Sequence, residues 1–253
     1  MTKKGFTLAE VLITLGIIGI VAAMTIPTLM ANYQKHVYVT QLEKFYSVFE
    51  NGMKLYMANN SCTTLQCTDL FNGWFVDATW ATNMQGELNK IFKISNSDCI
   101  PFNGNCKEST KFLNGNAAGD QFSAGTFTTL DGFVISIMDG DSGNCQGYPS
   151  LVNSTKLKNY CSEIYVDVNG PKQPNTYGRD IFYFLLGNDG LLYPGAGAEW
   201  AKAVPDSANN NNTYYWRSNA RWCGTPDSPT LAGTTLGDGC AARIIDEGWQ
   251  MNY

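Results

Sequence analysis

Residues 3–31 read KKGFTLAEVLITLGIIGIVAAMTIPTLMA: two lysines ahead of an apolar stretch that holds one carboxylate, Glu10, near its start. From Val11 to Ala31 no residue carries a charge. A helix needs about 20 such residues to cross the hydrocarbon core, so the stretch predicts a membrane span. By the positive-inside rule, Lys3 and Lys4 keep the N-terminus cytoplasmic and send everything after Ala31 across the bilayer. An ordinary secretory signal has the same basic start and apolar run. Glu10 speaks against one, because a carboxylate inside an apolar run costs about 2.5 to 3.5 kcal/mol on insertion scales. The end of the run, Thr28-Leu29-Met30-Ala31, is also a poor match to a small-residue cleavage site.

The segment Lys4-Gly5-Phe6-Thr7-Leu8-Ala9-Glu10, with Gly19 and Pro27 in the run behind it, resembles the type III signal of type IV pilins and type II secretion pseudopilins. The likeness covers residues 4–31, and beyond them it is one of architecture. It implies that a prepilin peptidase cuts after Gly5 and methylates the new N-terminus at Phe6, which makes Glu10 the fifth mature residue. Ala9 departs from the family pattern, where a larger apolar residue is usual. The resemblance further implies a structural subunit of a pilus or pseudopilus rather than an enzyme. Such a subunit polymerises through its N-terminal helix. Its partners are other pilin or pseudopilin subunits, the peptidase, an inner-membrane assembly platform and membrane lipid. It is a single-pass inner-membrane protein with an exported C-terminal domain, at the cell surface or in the periplasm once assembled. The alternative is a membrane-anchored or filament-tip (minor pilin) protein whose loops bind a surface or an exported substrate.

Glu10 has a physical case of its own. A carboxylate in lipid is tolerable beside a cation, and with Lys3 and Lys4 removed the amino group of Phe6 on a neighbouring subunit is the natural one. Joining a bundle then satisfies both charges. The competing account is a Glu10 that snorkels to the interface from the helix end. Gly16 and Gly19 form a small-x-x-small step suited to close helix packing, and both are weak helix formers. With Pro27 they mark a segment able to extend or kink, although glycines without mechanical meaning are common in membrane helices.

The formal charge is −5, with no basic run, and cleavage after Gly5 makes the chain more acidic. Phosphate neutralisation needs clustered Lys and Arg, so nucleic acid is not an expected partner. Eight cysteines in an exported domain point to bridges. Eight allow on the order of a hundred connectivities. Nearest-neighbour pairing, Cys62 with Cys67, Cys99 with Cys106, Cys145 with Cys161 and Cys223 with Cys240, is favoured because each pair closes a local loop. Free buried thiols are the other reading.

After Ala31, Tyr38, Leu42, Phe45, Phe49, Met53 and Tyr56 recur every three or four residues, the spacing of an amphipathic helix. Continued from Phe6 to about Ala58 it would be roughly 80 Å long, and its stripe predicts the seat of a globular domain. Strand composition marks Thr126–Leu130, Phe133–Met138, Ile164–Val168, Asp180–Leu186 and Leu191–Tyr193, with turns at Asp131-Gly132 and Asp189-Gly190. Residues 61 to 125 read as short helices and loops, with a helix near Met84–Lys93, and residues 196 to 239 as long loops. The predicted fold class is α+β, a long N-terminal helix on a four- to five-stranded antiparallel sheet with disulfide-pinned loops. The domains are a leader at 1–5, a transmembrane and polymerisation helix at 6–31, an amphipathic stalk at 32–60 and an exported domain at 61–253.

No catalytic set is visible: the single His, His36, lies on the stalk, away from any nucleophile of the exported domain. No cofactor is expected, with calcium the one candidate. Asp139-Gly140-Asp141-Ser142-Gly143-Asn144 starts like an EF-hand loop, but Ser150 stands where the closing Glu is needed. Oxygens of Asp167, Asn169 and Asp180 could converge on a hard cation, yet an Asn-Gly turn and strand start explain the same letters and are favoured. Tyr214-Tyr215-Trp216 and Trp222 form either a partner surface or, as favoured, loop aromatics folded over the core.

Overall fold

A computed structural model describes residues 5, 7–68, 70–71, 84, 86–95, 110–118, 126–139, 145, 160–194, 223–224 and 236–253. The chain divides into two units, Met1–Val37 and Tyr38–Tyr253. Helix α1, Leu8–Asn59, contributes to both and contains Pro27 without ending there. In the first unit its large apolar side chains are exposed from Leu8 to Met30. Among the described residues α1 is the helix long and apolar enough to cross a membrane.

In the second unit α1 turns amphipathic. Val39, Leu42, Phe45, Phe49, Met53, Tyr56 and Met57 are buried, the stripe the spacing predicts, with Tyr38 only partly covered at its edge. These residues pack against one face of a six-stranded antiparallel meander in chain order: β1 (Ile94–Ser95), β2 (Thr126–Thr129), β3 (Val134–Asp139), β4 (Tyr160–Asp167), β5 (Ile181–Gly187) and β6 (Leu192–Pro194). The sheet exceeds the expected four or five strands because β1 adds a two-residue edge through Ile94↔Thr129 and Ser95↔Thr128. Two residues carry no periodicity that a sequence could show. β4 begins four residues earlier than composition suggests, at Tyr160.

Both expected hairpin turns are present. Gly132 donates its N–H to the Thr129 carbonyl at 2.9 Å, and Gly190 to that of Gly187 at 2.9 Å. At Gly190 the φ of +75° and the approach of α1 both exclude a side chain, since a Cβ there would meet Met57 Cε at 2.7 Å. The run Ile181-Phe182-Tyr183-Phe184-Leu185-Leu186-Gly187 is buried at every position. Phe182, Phe184 and Leu186 join the α1 core, while Tyr183 and Leu185 join Tyr160 and Tyr193 on the opposite face. β5 is therefore a central strand covered on both sides, which explains its unbroken apolar sequence. At the far edge, the backbone of Leu192 is taken up by α1: its N–H donates to Glu50 Oε1 at 3.0 Å and its carbonyl accepts from Tyr46 Oη at 3.0 Å.

A second helix, α2 (Cys240–Asp246), was not anticipated; it buries Ala241 and Ile244 in the main core. Of the expected helix near Met84–Lys93, position 84 and positions 86–88 are helical. Disulfides join Cys62 to Cys67, Cys145 to Cys161 and Cys223 to Cys240. Cys99 and Cys106, the loop aromatics at 214–216 and 222, most of the 196–239 loops and the EF-hand-like stretch after Asp139 lie outside the described residues.

Candidate functional site

Two places carry the sequence-level candidates. The first is the start of α1. Thr7 precedes the first helical residue, and its backbone N–H and its hydroxyl both donate to Glu10 Oε2 at 2.8 Å. In return the Glu10 N–H donates to Thr7 Oγ1 at 3.3 Å. This is a capping box, the reciprocal satisfaction of orphan donors at a helix start. It moves the beginning of the helix from the expected Phe6 to Leu8. Its signal lies in the letters, Thr7-x-x-Glu10 before an apolar run. Phe6 is outside the described residues, and Gly5 is exposed.

Within the same unit, a Cβ at Gly16 or Gly19 would meet nothing within 4 Å. Neither glycine is therefore required by packing inside this chain. Thr14 and Thr25 donate their hydroxyls to the carbonyls of Glu10 and Val21, at 2.6 and 2.9 Å, which satisfies two polar groups of the apolar run within the helix itself.

The second place is the β4–β5 connection, where Asp167, Asn169 and Asp180 do come together. Asp180 Oδ1 accepts the Thr176 N–H at 2.6 Å, and its Oδ2 accepts the Asn175 N–H at 2.8 Å and Asn169 Nδ2 at 3.2 Å. Asp167 Oδ1 accepts the Asn169 N–H at 3.1 Å. The Asn175 amide, with its nitrogen turned toward Asp167 Oδ2 at 3.2 Å and the Lys172 carbonyl at 2.8 Å, donates to both. A calcium shell needs about six to eight free oxygens. Here the Asp180 oxygens are occupied by N–H donors, and no group of three or more His, Cys, Asp or Glu stands ready for a metal among the described residues. The arrangement is that of a turn held by its own carboxylates. The charge of the turn is felt on α1, where the Tyr38 hydroxyl is pushed up mainly by burial and then by the Asp180 charge.

Both carboxyls are fully buried. Burial pushes Asp180 up to about 6 despite its N–H donors. Asp167 is likewise raised, first by burial and then by the negative charge of Asp180. The sign follows: a carboxyl raised in the folded state binds its proton more tightly there. Its stabilising contribution is full below the unfolded value of 3.8 and is lost as pH rises through about 6. A shift of this size corresponds to about 3 kcal/mol. The thermal midpoint of the folded domain should therefore be several degrees higher at pH 5 than at pH 7.5. Asp180→Asn, which cannot ionise, should reduce that difference. A thermal scan across this range with equal midpoints in the unsubstituted protein would refute the assignment.

Residues 1–26 match the family model of the prokaryotic N-terminal methylation motif. No curated protein and no solved structure matches the chain. The matched segment holds the basic start, Gly5, the capped helix start at Thr7 and Glu10, and about the first three-quarters of the apolar run from Val11 to Ala31. On these grounds the chain carries the prepilin-type signal of the type IV pilin and pseudopilin class, with an apolar N-terminal helix suited to membrane anchoring.

Proposed function

We propose that this chain is a filament subunit of the pilus or pseudopilus kind. A prepilin peptidase releases residues 1–5, Phe6 becomes the methylated N-terminus, and the mature chain polymerises through the apolar half of α1. One observation carries the reading: an exposed apolar helix whose single carboxylate, Glu10, is fixed at its start by Thr7. Among the described residues that carboxylate has donors on one oxygen, Oε2. A cation from a neighbouring subunit, the Phe6 amino group, would complete it. The side-chain space open at Gly16 and Gly19 admits close helix neighbours. The subunit would sit in the inner membrane with its N-terminus cytoplasmic and its sheet domain exported, and an assembly platform there would draw it into the filament.

Processing supplies the direct test. Protein extracted from membranes should give a mature N-terminal peptide that starts at Phe6 and carries one methyl group, read by intact-mass and peptide analysis. A mature start near Asn32 would instead mean removal of an ordinary secretory signal and would end the filament reading.

A further inference from the structure

We propose that the turn between β4 and β5, with Lys111 paired alongside it, is a cationic foot that rests on anionic lipid headgroups where the exported domain meets the membrane. The proposal rests on the membrane reading of α1 and names the lipid surface that the domain takes.

Three cations are carried on one frame. Lys172 and Arg179 belong to the turn, Lys111 lies beside it, and all three are exposed. Their backbones converge on Asn175 to Tyr177. The Lys111 N–H donates to the Asn175 carbonyl at 3.0 Å, and the Lys111 carbonyl accepts the Tyr177 N–H at 2.9 Å. The Arg179 N–H donates to the Thr176 carbonyl at 3.0 Å, and the Lys172 carbonyl accepts the Asn175 side-chain amide at 2.8 Å. The points from which the three side chains project are thus fixed relative to one another. Among the described residues none of the three is in an ion pair.

The carboxylates of the same region are turned inward or already matched. Asp167 and Asp180 are fully buried and accept from the N–H groups of Asn169, Asn175 and Thr176. Asp131, on the neighbouring hairpin, pairs with Lys44 at 2.7 Å. An outward positive face therefore stands on a chain of formal charge −5.

Its place accounts for it. The turn lies toward the end of the sheet where α1 enters the second unit. A Cβ at Gly170 would meet the Gly132 carbonyl oxygen at 2.6 Å, and Asp131 of that hairpin is the residue paired with Lys44 of α1. The β5–β6 hairpin, by contrast, meets α1 further along, at Met57. Tyr38, which opens the second unit, feels the charges of Asp180, Asp167 and Arg179. It stands seven residues beyond Ala31, where the uncharged run ends. Along an unbroken helix that is roughly 10 Å, about one Debye length at physiological salt. Cations beside Tyr38 are therefore within reach of an anionic leaflet, and each Lys or Arg near such a surface strengthens binding roughly fivefold. The ammonium and guanidinium groups pair with headgroup phosphates and hold the domain down until assembly draws α1 out of the bilayer.

Acylation of lysines in the full-length chain, held in lipid nanodiscs and read residue by residue by mass spectrometry, tests this. In discs that mix phosphatidylglycerol with phosphatidylcholine, Lys111 and Lys172 should react roughly five- to a hundredfold more slowly than in phosphatidylcholine alone. Lys54 and Lys90, each paired with a glutamate elsewhere on the domain, should react alike in both. Arg179→Gln leaves both reporter lysines in place and should give back about fivefold of their protection, which mere nearness of Lys111 and Lys172 to a charged surface would not. A chain that does not co-elute with the discs overturns the membrane reading and this inference with it. A chain that co-elutes but whose Lys111 and Lys172 react alike in both lipids, or stay equally protected in Arg179→Gln, overturns the inference alone. Protection that rises with the number of chains per disc and not with phosphatidylglycerol also overturns it, and assigns the three cations to a second copy of the chain.

Discussion

Glu10→Ala should lower incorporation into filaments roughly a hundredfold or more per association step while leaving membrane insertion intact. Removal of the carboxylate makes the apolar run more apolar, so the monomer inserts at least as well as before. Assembly then faces a Phe6 amino group among neighbouring helices without its counter-charge. Removing one member of a buried pair commonly costs about 3 to 5 kcal/mol. The capping box adds a complication and also its remedy. Because Thr7 donates twice to Glu10 Oε2, Ala also removes a helix cap, a loss of about 0.5 to 2 kcal/mol at the helix start. Glu10→Gln preserves the box, since Gln serves in that position as well as Glu, and removes only the charge. The measurement is the ratio of the protein in sheared filaments to that in the membrane, with cleavage after Gly5 checked in parallel. If Gln restores the wild-type ratio and Ala does not, Glu10 acts as a cap and the charge-pair account falls.

The second large effect lies in the core. Phe49 is fully buried and stands between Phe45, with ring centres 5.4 Å apart, and Phe92, stacked at 5.3 Å with planes 15° apart. Phe49→Ala should cost about 3 to 5 kcal/mol, the range for emptying a packed aromatic site. For a domain of this size about 1 kcal/mol moves the thermal midpoint by about 2 to 4 °C, so the drop should be roughly 6 to 20 °C. Val48→Ala, on the exposed side of the same helix, should move it little. Thermal unfolding of the two variants side by side checks the assignment of the helix face. A larger loss from Val48→Ala would place the core on the wrong side of α1.

Strong periods and named turn residues were what made the fold legible. The stripe from Leu42 to Tyr56 could be read because a helix repeats its buried side every three or four residues, and each of its members is buried. Asp131-Gly132 and Asp189-Gly190 could be read because left-handed φ values select Gly there. Strand β1 could not, since two residues hold no pattern. α2 was equally hidden: its seven residues, Cys-Ala-Ala-Arg-Ile-Ile-Asp, have no side-chain cap at their start and are ordered by a disulfide and a buried Arg rather than by propensity. The chemistry of the site divided the same way. Asp167, Asn169 and Asp180 lie together because an Asn-Gly turn followed by a strand brings them there. Whether they would face a cation or backbone N–H groups depended on the path of Asn175 and Thr176, which no spacing encodes. Thr7 was the opposite case, written plainly in the sequence and overlooked.

The treatment of Leu192 has a consequence for life in a crowded membrane. Subunits stored side by side at high density risk sheet-to-sheet growth wherever a strand offers a free row of N–H and C=O groups. Here one margin is only two residues long. At the other, Glu50 and Tyr46 already occupy the outward backbone groups of Leu192, and Pro194 ends the strand with no N–H to give. Among the described residues, the β6 margin offers little free backbone to a neighbour's strand. Strand addition by a second copy at this margin is thereby disfavoured.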